Sequence, residues 1–114
     1  MPIHYLEIVT EDVDAVCSTY ESSTGIRFGD PVAELGEART AELPEGTIVG
    51  VRAPMHESED PTIRPYWLVN DIEATVSAAE AGGAVVAHPP MEIPGRGTFA
   101  ILAHGSLHHG LWQL

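Results

Sequence analysis

Lysine is absent from this chain of 114 residues, and its whole basic complement is Arg27, Arg39, Arg52, Arg64 and Arg96. Without a lysine there is no Schiff-base chemistry, no pyridoxal-phosphate anchor and no P-loop. The single cysteine, Cys17, excludes an intrachain disulfide and a cysteine-based zinc site. No apolar run approaches the roughly 18 residues of a membrane span, so no membrane partner is expected. The opening stretch MPIHYLEIVTEDVD lacks a basic leader and a cleavage site, and a cytoplasmic protein is the expectation. Positive charge is scarce: 17 acidic residues give a formal net charge of −12. Binding a phosphate backbone requires a basic patch, so nucleic acid is excluded as a partner. The plain reading of the acidity is solubility or a salty habitat, and the sharper one an electrostatic pull on a cationic ligand.

What is present is a repetition. Slid against itself by 59 positions, the chain matches Pro2 with Pro61, Asp12 with Asp71, Ala15 with Ala74, Ser18 with Ser77 and Glu21 with Glu80. The same offset pairs Pro31 with Pro90, Gly36 with Gly95, Ala41 with Ala100, Leu43 with Leu102 and Gly46 with Gly105. These matches fall at structural punctuation and need no gap, the mark of a duplicated unit. Each copy opens with a stretch rich in β-branched and aromatic residues, Ile3 to Thr10 and Arg64 to Asn70. Asp12 and Asp71 then stand at N-cap positions, with Asp14 and Glu73 in the first helical turn. Val13, Val16, Cys17 and Tyr20 recur at helical spacing, as do Ile72, Thr75, Val76 and Ala79. Gly25 and Gly82-Gly83 end the helices. Two strands joined by a tight turn close each copy, around Gly46 and around Gly105.

The expectation is an α+β fold of two tandem βαβββ modules in one domain spanning 1–114. Module one covers 1–55, a polar linker 56–62, and module two 63–114. In each module the helix covers one face of a curved sheet, and the other face is left to form a cleft.

Taken in order and duplicated, three segments make the chain resemble the vicinal oxygen chelate superfamily, the glyoxalase, bleomycin-resistance and extradiol-dioxygenase group. They are the entries Glu7-Ile8-Val9-Thr10-Glu11-Asp12-Val13-Asp14 and Pro65-Tyr66-Trp67-Leu68-Val69-Asn70-Asp71-Ile72-Glu73-Ala74, and the tail from Ile93-Pro94-Gly95-Arg96-Gly97-Thr98-Phe99-Ala100 to Gly110-Leu111-Trp112-Gln113. The resemblance implies paired βαβββ modules, a sheet-lined ligand cleft and often a homodimer. In metal-using members it implies one ligand from the first strand and one from the last strand of each module, usually His and Glu. Carried onto this chain, those four positions are Tyr5, Gly50, Arg64 and Gly110. Glycine has no ligating side chain and arginine's permanent charge repels a cation, so the usual metal site is not expected and no cofactor is assigned.

The candidate pocket residues are Tyr5, Glu7, Arg52, Arg64, Tyr66, His108 and Trp112, with Phe99 as a further aromatic. Glu7 interrupts an apolar strand on the face assigned to the cleft, and a carboxylate there must be paired, hydrated or functional. Arg52 and Arg64 are its candidate partners. His108 shares a strand phase with Gly110 and Trp112, whereas the adjacent His109 points to the opposite face, so the pair cannot grip one ion together. The plainer role for His108 is a polar or solvent-facing position; the sharper one is a general base. His4, His56, His88 and His104 read as surface or structural, and Cys17 as a buried packing thiol.

The leading functional expectation is a metal-free protein binding a small, partly aromatic organic molecule. The alternative is a metal-dependent lyase, isomerase or dioxygenase with a divalent ion displaced to a site around Glu7 and His108; those are also the two catalytic candidates. The sequence leaves open whether the protein is an enzyme.

Overall fold

Alternation of apolar and polar residues sets the strands, and the helical spacing of the acidic segments sets the two helices. The computed structural model describes all 114 residues. The chain divides into two compact units, residues 5–63, and residues 1–4 together with 64–114.

In the first half the elements are β1 (Ile3–Val9), α1 (Val13–Thr24), β2 (Pro31–Val32), β3 (Ala38–Glu42) and β4 (Ile48–Arg52), with a single 3-10 turn at Ala33–Leu35. The second half has β5 (Thr62–Leu68), α2 (Ile72–Ala81), β6 (Val85–Ile93), β7 (Gly97–His104) and β8 (Leu107–Gln113). Within the first half β2 pairs with β3, β3 with β4, and β4 runs parallel to β1. The second half repeats this connectivity, with β6 on β7, β7 on β8, and β8 parallel to β5. The fold is therefore α+β and built of two βαβββ modules, as expected from the repeat. No helix is long and apolar enough to cross a membrane.

Each helix packs on one face of its own strands. In the first half Ile8, Cys17, Phe28, Ala41, Val49 and Val51 form a buried cluster, with Val13, Val16 and Tyr20 packed against it. In the second, Ile72, Val76, Ala100, Leu102 and Leu111 form the corresponding cluster. Cys17 has no exposed surface, and burial pushes its thiol up, consistent with a packing role. The repeated glycines stand where the backbone turns left-handed: Gly36 and Gly95 at φ 67° and 77°, Gly46 and Gly105 at φ 101° and 59°. Only glycine adopts that region without a steric penalty, which explains why these pairs are identical.

Register shows where the halves diverge. Glu7 lies opposite Gly50, and Tyr66 opposite Gly110. Glu7 and Tyr66 keep the offset of 59, but the two glycines are separated by 60, so module two carries one extra residue between Gly105 and Gly110. The second strand of the module also differs, two residues in β2 against nine in β6. The longer strand holds Pro89 and Pro90, and its register slips on both sides of His88. That is how prolines, which cannot donate to a ladder, are accommodated in a strand paired on one side.

The two helix starts are also unequal. Asp71 caps as expected, its Oδ1 accepting from the Ala74 N–H at 3.1 Å. A second tie comes from Gln113, whose Oε1 accepts from the Ile72 N–H at 2.8 Å. Asp12 makes no side-chain capping bond, contrary to the sequence expectation. Its own N–H donates to the Thr10 hydroxyl at 3.1 Å, so the chain enters α1 through a local turn instead. Asp71→Ala is expected to destabilise the protein by about 1 kcal/mol and Asp12→Ala by only a few tenths. Urea unfolding midpoints of the two variants provide the check; equal losses would contradict this difference.

Candidate functional site

Strand alternation places Tyr5, Glu7 and Val9 of β1 on the face of the first half that α1 leaves uncovered. Gly50 and Arg52 of β4 share that face, because Val49 and Val51 belong to the helix-side cluster. Here the Tyr5 side chain lies across the neighbouring strand onto Gly50: a Cβ built on Gly50 would overlap the Tyr5 hydroxyl and Cζ. The second half does the same with other residues. A Cβ on Gly110 would overlap the Tyr66 ring at Cδ2, with Cε2 at 2.5 Å and Cγ at 2.6 Å. Aromatic rings laid on a strand glycine recover apolar burial that glycine alone cannot supply.

These contacts decide how well the residues fit a divalent ion. In the first half one family ligand position is a buried tyrosine and the other is a glycine beneath that tyrosine's ring. In the second half one position is Arg64, 8% exposed and positively charged, and the other is a glycine beneath Tyr66. No oxygen or imidazole donor set stands at either pair of positions, so the residues do not fit the metal. No group of three or more His, Cys, Asp or Glu elsewhere in the chain is arranged to hold one.

Glu7 and Arg52, two of the sequence candidates, meet directly. Arg52 Nε donates to Glu7 Oε2 at 2.9 Å, and the residues are 4% and 7% exposed. The other edge of the same guanidinium faces Glu59, with Nη1 at 2.7 Å from Oε1 and Nη2 at 2.8 Å from Oε2. Glu59 Oε1 also accepts from the Met55 N–H at 2.7 Å. The Glu59 hydrogen bonds, followed by the charge and hydrogen bond of Glu7, hold Arg52 well above the ordinary guanidinium range against the opposing effect of burial. Pairing was anticipated for Glu7, but Glu59 was not. It lies in the segment read as a polar linker, and its spacing from Arg52 carries no motif.

In the second half Tyr66, Phe99 and Trp112 gather on the face that α2 leaves uncovered. Tyr66 meets Trp112 edge-on with ring centroids 5.8 Å apart, and Phe99 with centroids 6.2 Å apart. Trp112 is fixed by its indole N–H, which donates to the Arg96 carbonyl at 3.0 Å. Two histidines read from the sequence as surface or structural join this group. His88 lies 4.8 Å from the Phe99 ring, and its Nδ1 is 2.7 Å from the Pro89 carbonyl. His4 packs 5.2 Å from Trp112, and burial lowers its pKa. The first four residues belong with this half, where Leu68 N–H donates to the Pro2 carbonyl at 2.8 Å. His108 is exposed near the start of β8 and belongs to neither group. The stacked imidazoles are His104 and His109, 6.2 Å apart.

No protein-family model matches the chain, and no curated protein matches it. Solved structures do. A hypothetical protein from Bacillus halodurans superposes with a TM-score of 0.78 at 13% identity, over 99% of this chain and 94% of that one. Methylmalonyl-CoA epimerase from Mycobacterium tuberculosis gives 0.73 at 15% identity, over 97% and 86%. A variant of the Streptomyces coelicolor methylmalonyl-CoA epimerase in complex with 2-nitronate-propionyl-CoA gives 0.70 at 17%, over 99% and 94%. At such identities the likeness establishes the fold, which is the glyoxalase/bleomycin-resistance-like fold of those epimerases.

The two glycine contacts differ in a way that can be measured. At Gly50 the obstacle is the far end of Tyr5, which can swing aside; at Gly110 it is the root of the Tyr66 ring, which cannot. Gly110→Ala is therefore expected to cost about 1–3 kcal/mol, and Gly50→Ala less. Thermal denaturation of both variants gives the comparison, and a larger loss at Gly50 would refute the assigned packing.

Proposed function

We propose that this chain is a metal-independent binding protein that holds a small, partly aromatic organic molecule on a sheet face that a helix leaves uncovered. The observation that carries this reading is the tyrosine-on-glycine packing in each half. The positions that would supply metal ligands in this fold instead present glycines covered by tyrosine rings, with a buried arginine at a third. Such positions carry aromatic rings and guanidinium groups rather than hard oxygen donors, which suits an organic molecule better than a bare cation. Structures of methylmalonyl-CoA epimerases with the same fold hold an acyl-CoA, a small organic ligand. In the second half the half-buried Phe99 and His88 form the aromatic platform, backed by the buried Tyr66 and Trp112, with Arg64 as the polar contributor. A displaced metal around Glu7 and His108 gains no support, because Glu7 is committed to Arg52.

The test joins elemental analysis to a ligand screen. Purified protein is expected to carry far less than one Fe, Mn, Ni or Zn per chain and to keep its melting temperature in chelator. An aromatic ligand at 100 times its dissociation constant should add about 2.7 kcal/mol of stability. Phe99→Ala should weaken that ligand threefold to tenfold, on the order of 1 kcal/mol. One tightly held metal per chain whose removal lowers the melting temperature would sink this reading.

We also propose a homodimer. Val85, Met91 and Leu107 leave large apolar side chains exposed on the second half, at 64%, 50% and 65%. Twofold pairing is the commonest way to cover such surface. Light scattering at micromolar concentration should give about twice the chain mass of 12.2 kDa. A mass equal to one chain throughout a dilution series rules the dimer out.

A further inference from the structure

β6 is irregular around one residue. Its register against β7 shifts between Val86 and His88 and again between His88 and Met91, with His88 itself opposite Ile101. Pro89 and Pro90 follow directly. A proline fixes its own φ and confines the residue before it to extended backbone, so this pair stiffens the strand where the ladder is interrupted. Irregularities of this kind re-aim a side chain. Here the side chain is an imidazole on the face of the second half that α2 leaves uncovered.

His88 Nδ1 lies 2.7 Å from the Pro89 carbonyl. A carbonyl oxygen only accepts, so Nδ1 carries the hydrogen. In the neutral ring the lone pair is then on Nε2, and the tautomer is set by the next residue of the chain. The ring lies against Phe99, with centroids 4.8 Å apart and planes inclined by 30°. Phe99 in turn stands 6.4 Å from Trp112 and 6.2 Å from Tyr66. Trp112 and Tyr66 are 3% and 4% exposed, whereas His88 and Phe99 are half-buried. The end of this aromatic row that a ligand can reach is therefore the end that carries the imidazole. All four residues belong to one compact unit.

An aromatic surface alone does not choose between rings of similar size. A fixed lone pair beside it does. It favours a neutral ring bearing an N–H or O–H, is indifferent to the same ring with that hydrogen replaced by methyl, and repels an anionic oxygen. The net charge of −12 acts against anions in the same direction. We infer that His88 is the hydrogen-bond acceptor of the ligand site on the second half, and that the ligand is a neutral aromatic molecule carrying an N–H or O–H donor on its ring. This inference rests on the ligand-binding reading above and names the ligand class for it.

Matched pairs of probes test it: 4-methylphenol against 4-methylanisole, and indole against 1-methylindole. The members of each pair differ in whether the ring bears a donor, and 4-methylbenzoate is the anionic control. In binding titrations the wild-type protein should prefer the donor-bearing member of each pair about threefold to tenfold. It should bind 4-methylbenzoate more weakly than 4-methylphenol. His88→Phe, which keeps a ring against Phe99 but removes the lone pair, should bind both members of each pair equally. Nitrogen NMR of the wild-type imidazole reads the tautomer directly. The neutral ring should carry its hydrogen on Nδ1, and 4-methylphenol should move the Nε2 resonance where 4-methylanisole does not. A hydrogen on Nε2 overturns the inference, as does a donor preference that survives His88→Phe or a benzoate that binds as tightly as the phenol. Should His88→Phe fold poorly, the wild-type spectrum and the paired affinities decide. Equal binding of both members of each pair by the wild type would defeat this inference while leaving the ligand-binding reading intact. Failure of every aromatic probe to bind would defeat both.

Discussion

Each half of this protein has one helix for four strands, and a single helix closes only one face of a sheet. That constraint organises the remaining features. On the helix side, aliphatic and small residues with Phe28 pack into buried clusters. The opposite face must be made stable by other means, and there the large aromatics and the buried charges collect. Glu7, Arg52 and Arg64 are all buried there, and a buried charge is tolerated only when it is paired and hydrogen-bonded. The Arg52 cluster meets that requirement in the first half, with carboxylates on two edges of one guanidinium. In the second half aromatic rings take over, linked edge-to-face and pinned by the indole hydrogen bond of Trp112.

Much of this was legible in the sequence because it rests on local rules. The helix faces follow from residues three and four apart, and the turns from glycines at left-handed positions. Features that depended on distant partners were not legible. Asp12 and Asp71 look equivalent, yet only Asp71 caps, because the approach through Thr10 turns the first helix entry differently. His4 falls on the wrong strand phase for the uncovered face, yet it reaches Trp112 because the first residues of β1 belong with the second half. Glu59 lies in a stretch that reads as a polar connector. Nothing in its neighbours shows that its carboxylate turns inward to a buried arginine.

The scarcity of cations gives the few arginines unusual weight. With lysine absent, each positive charge is a guanidinium, planar and permanently protonated. Arg39 is spent on the outer surface of the first half, where it reaches Asp14 and the Gly29 carbonyl. Arg52 and Arg64 are buried in a chain of net charge −12. Two of the five positive charges thus lie inside, rather than on the surface where they would offset the acidity.

The two tyrosine-on-glycine contacts look like copies, but they are not. Tyr5 corresponds by the repeat to Arg64, and Tyr66 corresponds to Glu7. Tyr5 reaches its glycine diagonally from a position opposite Ile48, whereas Tyr66 sits directly opposite Gly110. A duplicated gene hands both halves the same residues at the same positions, so inheritance from a single ancestral half does not account for this pairing. Each half covers a bare strand glycine with a ring from a different position of its first strand. What the two halves share is the covered strand position, not the residue that covers it.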